Sequence, residues 1–577
     1  MSFFRQVAWG EILPAASAAL AFLLIAGFLG ARLRQLFRNP LPPSLRLPAD
    51  VLAGLWTMAT AFWLLAMVRQ LSRTSLAAVL LLAVLAGRFR GTGWSLQTLS
   101  APALAGAVLL PMALAPPFFY DALVYHLGLP WQALLEGGFF PHPENVFATF
   151  PTLAQLVALP FLAFGLPRGV GVVHLSMFVL AGAVVAALAK RAGAKRRGAI
   201  AAFALVLVPI YVLVPALPAA EGYGVLAVSL LLAPLLYSRL APFVLGFWAG
   251  FAVAARLQAL PFAALTLLLG VRNRRALVGV AASALVAASL WWAKNAVLLG
   301  NPLLPVGWGG PGIEAFNRDS VRVLAMGGSY WDALAAVART LLPHASYLAP
   351  LLLSGVLASL GPGPRVCGKL ALLVLLGLPV WAYLGLVTRY LAAWVPPLLL
   401  WTALGRSNAA RVGSSLALVT AAALGLAVSL RELGRWGGPQ LFGGTGVAER
   451  EFVFANPFPA FAAARVLPPE AKVLFVGEAR GYGFPRRFVA PSYLDLHPLA
   501  SLLAAGSDGE VREKLRQAGF THLLVNWAEL RRLTQGYPCA PWPQPHGESR
   551  FLAFVGSLGP PRIAMAPVAV YELAGGD

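Results

Sequence analysis

From Ile12 to Leu430 the chain is a succession of apolar runs separated by short polar breaks, most of them basic. Runs of this kind approach the roughly 20 residues needed to cross about 30 Å of hydrocarbon. Read as helical spans they fall near 12–31, 50–68, 74–87, 101–116, 169–189, 199–218, 222–237, 241–256, 257–271, 276–298, 345–360, 369–387, 390–404 and 412–430. The pattern predicts an α-helical polytopic membrane protein with about 13–14 transmembrane helices. One apolar segment, 151–166, breaks the alternation of sides if counted as a span. It reads as a juxtamembrane or partly inserted helix.

The breaks orient the bundle. Clusters at Arg32–Arg46, Arg88–Arg90, Lys190–Arg197, Arg272–Arg275, Arg365–Lys369 and Arg406–Arg411 mark cytoplasmic loops, because Lys and Arg are retained on that side. Composition agrees: 59% of the 577 residues are hydrophobic and 11% charged, against about 25% charged in soluble domains. The net charge of +22 does not describe a nucleic-acid surface. Of 44 Lys+Arg and 22 Asp+Glu, residues 431–577 hold 15 and 13, leaving 29 basic against 9 acidic residues in the membrane part. That excess lies in the short loops, so nucleic acid is excluded as a partner. Cys367 and Cys539 fall on opposite sides and form no framework.

On this topology every acidic residue of the membrane part after Asp50 lies on the outer side: Asp121, Glu136, Glu144, Glu221, Glu314, Asp319 and Asp332. So do three isolated bases at span ends, Arg256, Lys294 and Arg389. Ionisable groups near hydrocarbon are costly, so they line a cavity and pair there. The densest group is "FFYDALVYHLGLPWQALLEGG", Phe118–Gly138, where Asp121, Tyr125 and His126 follow directly on an apolar run. Each has a plainer explanation. Asp121 would serve as a helix cap, His126 as an interfacial side chain, Lys294 and Arg389 as snorkelling anchors. Arg256, between two apolar runs, is harder to explain that way. Glu136, Glu144 and Asn145 read as solvated loop residues.

"YDALVYHLGLPWQALLEGGFF", with "NVFATFPTLAQLV", "WWAKNAVLLGNPLLP" and "TRYLAAWVPPLLL" further on, resembles the GT-C superfamily of membrane glycosyltransferases, in particular the protein O-mannosyltransferase and aminoarabinose transferase group. The resemblance covers roughly residues 100–405. It implies an enzyme: an inverting glycosyltransferase moving a sugar from a polyprenyl-phosphate donor to a hydroxyl acceptor on a protein, lipid or glycan. The implied catalytic carboxylates are Asp121, in the first external loop, and Glu221. The implied substrate-binding residues are Tyr125, His126, Arg256, Lys294, Asn295, Arg389 and Tyr390. A positioned carboxylate can take the acceptor proton, and a departing phosphate calls for fixed positive charge. No cofactor is expected. A divalent cation on Asp121 and Glu221, oxygen ligands suited to Mg²⁺ or Mn²⁺, belongs to other branches of the superfamily. The implied location is the bacterial cytoplasmic membrane, among its lipids. A transporter or flippase of lipid-linked sugars is the alternative, with broken helices and intramembrane charges of its own. It is disfavoured by the gathering of charges at one face.

The expected organisation is N-terminal transmembrane helices over 1–100, a GT-C-like catalytic part over 101–430 with external loops 117–168 and 299–344, and a small extracytoplasmic α/β domain over 431–577. In that tail "AKVLFVGEARGYG" and "FTHLLVNW" read as buried strands and "DGEVREKLRQAG" as a helix opening at Asp508. "GEARGYG" lacks the spacing and following helix of a dinucleotide loop. The Gly- and Pro-rich stretch Gly300–Trp331 is long enough to be a lid.

Overall fold

The computed structural model describes residues 9–38, 40–87, 91–209, 213–238, 240–271, 276–305, 341–360, 365–384, 388–435, 457–536 and 547–573. Most of the expected lid, Gly300–Trp331, lies outside the described residues, as do Glu314, Asp319 and Asp332.

The membrane part is a helical bundle, and the chain is a multi-pass membrane protein. Among the described residues six helices are long and apolar enough to cross a bilayer: Trp9–Leu36, Pro43–Met67, Arg168–Arg191, Ala276–Leu299, Leu342–Leu360 and Asn408–Arg435. The other expected spans fall on further helices, most of them shorter. Many of the remaining runs form helices of 10–17 residues, among them Arg73–Ala86, Ser100–Ala113, Glu221–Leu235, Pro242–Ala255 and Leu257–Gly270. The physical reason is local. Pro234 and Pro242 bound two runs, Arg256 divides two others, and short 3₁₀ turns occupy the breaks at Ala233–Leu235 and Leu257–Ala259. Broken backbone is tolerated at membrane depth where protein surrounds it, and here the Glu221–Leu231 helix is buried along its whole length.

Arg168–Arg191 is the central helix, 83% of its apolar window being buried. Outer helices keep an apolar face outward, as Leu20, Val278 and Leu416 show, each at least 60% exposed. That face suits lipid. Residues 151–166 are not surface-bound: the Leu153–Ala163 helix is buried at every position and packs on Pro43–Met67 and Gly128–Glu136. Pro242–Ala255 and Ala276–Leu299 approach so closely that a Cβ at Gly246 or Gly250 would collide with the carbonyls of Val280 and Ala284. This small-xxx-small contact fixes the end of the first helix, where Arg256 sits.

The tail is an α/β unit. Its five strands are β1 (Lys472–Val476), β2 (Arg487–Val489), β3 (His522–Asn526), β4 (Ile563–Met565) and β5 (Val568–Glu572), in the order β2-β1-β3-β5-β4. β1 runs parallel to β2 and β3, with Val473 opposite His522, while β5 is antiparallel to β3 and β4. Helices Pro498–Ala505 and Asp508–Gln517 make the crossover from β2 to β3. The cap of the second is Ser507, in a reciprocal capping box with Glu510, one residue before the expected start. After β1, Gly477 turns left-handed (φ 66°), and a Cβ there would strike Leu530. The turn delivers Glu478 and Arg480 toward the membrane part.

Candidate active site

Phe118–Gly138 does not continue the preceding helix. After Tyr120 and Asp121 the backbone forms a π turn, Ala122–His126, in which Leu127 N–H donates to Ala122 O at 2.7 Å. Single π turns are rare and frequently mark functional sites. Asp121 stands at the N-cap position but makes no side-chain cap bond. Its carboxylate instead accepts from the Tyr125 hydroxyl at 2.9 Å and meets Arg389 Nη1 at 2.6 Å. The Tyr125 ring stacks on Phe147, centroids 4.8 Å apart, and lies against the buried His126.

Three further segments complete the site. Glu221 opens the Glu221–Leu231 helix, buried, with Arg256 Nη1 at 2.9 Å and Arg389 Nε at 3.9 Å. Arg256 ends Pro242–Ala255 in extended conformation (φ −159°), its guanidinium 5.0 Å from the centre of the Tyr390 ring. Arg389 begins the 3₁₀ stretch Thr388–Trp394 and lies 5.9 Å from the same ring. The result is a chain of alternating charge, Asp121–Arg389–Glu221–Arg256. The Nε–H groups of both arginines are buried and lack a hydrogen-bond partner among the described residues. A small pocket beside them is lined by Glu221, Gln258, Arg389 and Tyr390.

Such an array has two unspent donors in a water-poor place, an arrangement able to receive an anion. It also holds a carboxylate within reach of solvent-borne groups, Asp121 being partly exposed. A cation shared by Asp121 and Glu221 would have to displace Arg389 and Arg256, so these carboxylates do not fit a metal well. Among the described residues no cluster of three or more His, Cys, Asp or Glu is arranged to hold one.

Of the three bases expected together, two meet Asp121 and Glu221. Lys294 is placed differently. It is buried and donates to the backbone carbonyls of Ala148 and Phe150. Its neighbours do the same: Asn295 Nδ2 donates to Thr149 O (2.8 Å) and Leu304 O (3.0 Å), and Trp291 Nε1 to Thr149 O (2.6 Å). "WWAKN" thus brackets residues 148–150.

Glu136, Glu144 and Asn145, read as solvated, are corrected. They are buried or half-buried at the seam with the tail. Asn145 Nδ2 donates to Ala490 O and Ser492 N–H to Glu144 O, both at 3.1 Å. His142 sits between Glu144 (3.1 Å) and Glu136 (3.8 Å). Burial opposes its charge, but the hydrogen bond and charge of Glu144, with Glu136, outweigh burial and raise its pKa. Beside them a cavity of about 650 Å³ opens between Phe140, His142, Lys472, Arg487 and Phe520.

Two groups escaped the sequence reading. His174 Nε2 accepts from Gly222 N–H at 2.9 Å, steadying the residue after Glu221. Tyr120 meets the tail residues Glu529, Arg480 and Arg532. An aromatic directly before Asp121 was a local cue; the partners, more than 350 residues on, had none.

No protein-family model and no curated protein matches the chain. Several solved structures are similar. The apo oligosaccharyltransferase of Archaeoglobus fulgidus aligns over 74% of this chain and 69% of its own, at 12% identity and a TM-score of 0.47. ArnT from Cupriavidus metallidurans, bound to undecaprenyl phosphate, aligns over 85% and 100%, at 15% identity and 0.49. The arabinofuranosyltransferase AftD from Mycobacteria aligns over 84% and 42%, at 18% identity and 0.43. These three neighbours are glycosyltransferases of the GT-C type.

Proposed function

We propose that the protein is an inverting glycosyltransferase that moves a sugar from a polyprenyl-phosphate donor to a hydroxyl acceptor on the outer face of the cytoplasmic membrane. The observation that carries this reading is the Asp121–Arg389–Glu221–Arg256 array with its two unpartnered guanidinium N–H groups. In the reaction Asp121 accepts the proton of the acceptor hydroxyl as its oxygen bonds to the anomeric carbon. The bond from that carbon to the phosphate oxygen breaks, and the electron pair leaves with polyprenyl phosphate. A single displacement inverts the anomeric centre.

Arg389 and Arg256 meet the charge gathering on the phosphate, each bringing a donor its carboxylate partner does not use. A phosphate entering the site competes with Asp121 for Arg389. Release from that ion pair leaves the Asp121 carboxylate open to the acceptor hydroxyl when the donor is in place. Tyr125 keeps the carboxylate oriented through the exchange. Glu221, buried against both arginines, holds them where the phosphate arrives. The polyprenyl tail stays in the bilayer, and the tail domain of the protein lies with the site on the external side.

The test is direct. Purified protein is given labelled polyprenyl-phosphate sugar and an acceptor-containing membrane extract, and label moving to a new product is followed. Transfer that vanishes on Asp121→Asn supports the reading. Movement of intact donor between leaflets, without a new product, sinks it and indicates a transporter.

A further inference from the structure

Tyr120, the residue before Asp121, is held by the tail on three sides. Its hydroxyl donates to Glu529 Oε1 at 3.0 Å. The guanidiniums of Arg480 and Arg532 stand 5.4 and 5.5 Å from its ring centre, within the range of cation–π attraction. These partners are themselves fixed. Glu529 Oε1 and Oε2 accept from Arg532 at 2.6 and 2.7 Å, and Glu529 N–H donates to Asn526 Oδ1 at 3.2 Å. Asn526 Nδ2 donates to Glu478 Oε2 at 2.7 Å, and Glu478 binds Arg480 through both oxygens. Glu478, Arg480, Asn526 and Glu529 are all buried, so each charge in this network is costly unless paired.

The tail also takes up backbone groups of the π turn and its surroundings. Leu123 O, inside the turn, accepts from Tyr482 N–H at 3.2 Å. Trp131 Nε1 donates to Phe484 O at 2.7 Å and Gln132 Nε2 to Phe488 O at 2.9 Å. Val146 N–H donates to Asp495 Oδ2 at 2.7 Å, and Tyr493 packs on Phe147, which stacks on Tyr125. A turn with a freed carbonyl is thus completed by another domain, on both sides of the residue that carries the carboxylate.

We propose that the tail domain is part of the catalytic apparatus, with Glu529 a positioning residue that sets Asp121 through Tyr120. The inference rests on the reading of Asp121 as the acceptor base. The argument is one of stiffness. Residues 116–119, just before Tyr120, have no regular structure, and a base displaced by about 1 Å loses on the order of 10²-fold in rate. A hydroxyl–carboxylate bond and two guanidiniums on the adjacent residue remove that freedom before substrate arrives.

Tyr120→Phe removes only the hydroxyl and keeps the ring between the two arginines; Glu529→Ala removes the acceptor. Each is expected to lower kcat roughly 10- to 100-fold with donor KM unchanged. The double variant is expected to be no worse than Glu529→Ala alone, since both single changes delete the Tyr120–Glu529 bond. Arg550→Ala, which breaks the ion pair with Asp508 elsewhere in the tail, is the control: lower thermal stability, wild-type kcat per folded molecule. A folded Tyr120→Phe protein with wild-type kcat overturns the positioning role alone. So do additive losses, or losses shared by Arg550→Ala, which indicate mere stability. Absence of transfer by wild-type protein overturns the functional reading and the positioning role with it.

Discussion

The carboxylate of Asp121 lies 2.6 Å from the guanidinium of Arg389 and accepts the Tyr125 hydroxyl at 2.9 Å, so one oxygen, Oδ2, serves both partners. Asp121→Asn keeps the shape and an acceptor for Tyr125 but loses the basic carboxylate. Transfer is expected to fall about 10²–10⁴-fold. Donor binding should hold or tighten, because Arg389 is left free for phosphate. Single-turnover rates with equilibrium binding of labelled donor decide it; wild-type transfer would remove Asp121 as base and leave Glu221 to be tested.

Arg389 also approaches Glu221 to 3.9 Å, joining two carboxylates through one planar group. Lysine at this position keeps the charge but offers a single point of contact. Arg389→Lys should therefore lower turnover by roughly tenfold and weaken donor binding, unlike Asp121→Asn. The two variants separate proton removal from phosphate stabilisation. If Arg389→Lys behaves as wild type, the guanidinium geometry has no part in the site.

How much of this was readable beforehand varied with the kind of contact. Asp121 and Tyr125 are one turn apart, and their arrival after an apolar run is visible in a string of letters. Arg256 stood out because it splits two apolar stretches. Hydropathy could not show that Glu221–Leu231 is enclosed by protein along its whole length. It also could not show that Lys294 faces backbone carbonyls. The clamp on Tyr120 was the least legible. "GEARGYG" invited a test for a nucleotide loop, but a domain's docking surface has no sequence period. Its charges became meaningful only once β1 and the π turn were seen side by side.

The tail has a pH limit set by His497. Its Nε2 lies 2.9 Å from Phe475 O and its Nδ1 accepts Leu499 N–H at 3.1 Å, which requires the neutral ring with the proton on Nε2. Burial lowers its pKa to about 4. The folded value lies below the unfolded one of about 6.5. The contribution is therefore complete above pH 6.5 and is lost as pH falls toward 4, up to about 3 kcal/mol. His497→Gln retains a donor and an acceptor without titrating. Thermal unfolding of the full chain at pH 7.5 and 5 should show a smaller drop in the variant, and equal drops would rule His497 out as the source.

Lys294 decides between two roles for a buried base. The resemblance implies that it clamps the donor phosphate, yet its ammonium is committed to the carbonyls of Ala148 and Phe150. Removing the charge while keeping a donor separates the two, which Lys294→Gln does. If the side chain brackets the loop, the amide still serves one carbonyl, and donor affinity should stay within about twofold of wild type. Arg256→Gln, losing a charge-assisted contact to phosphate, should weaken donor binding about tenfold or more. Asn295→Ala, which strips the donor from the Thr149 and Leu304 carbonyls, should cost about 1–3 kcal/mol in stability with donor affinity intact. Equilibrium binding of labelled donor, run beside thermal unfolding on the three variants, reads both quantities. A loss of affinity in Lys294→Gln equal to that in Arg256→Gln would place Lys294 on the phosphate and end its reading as a bracket.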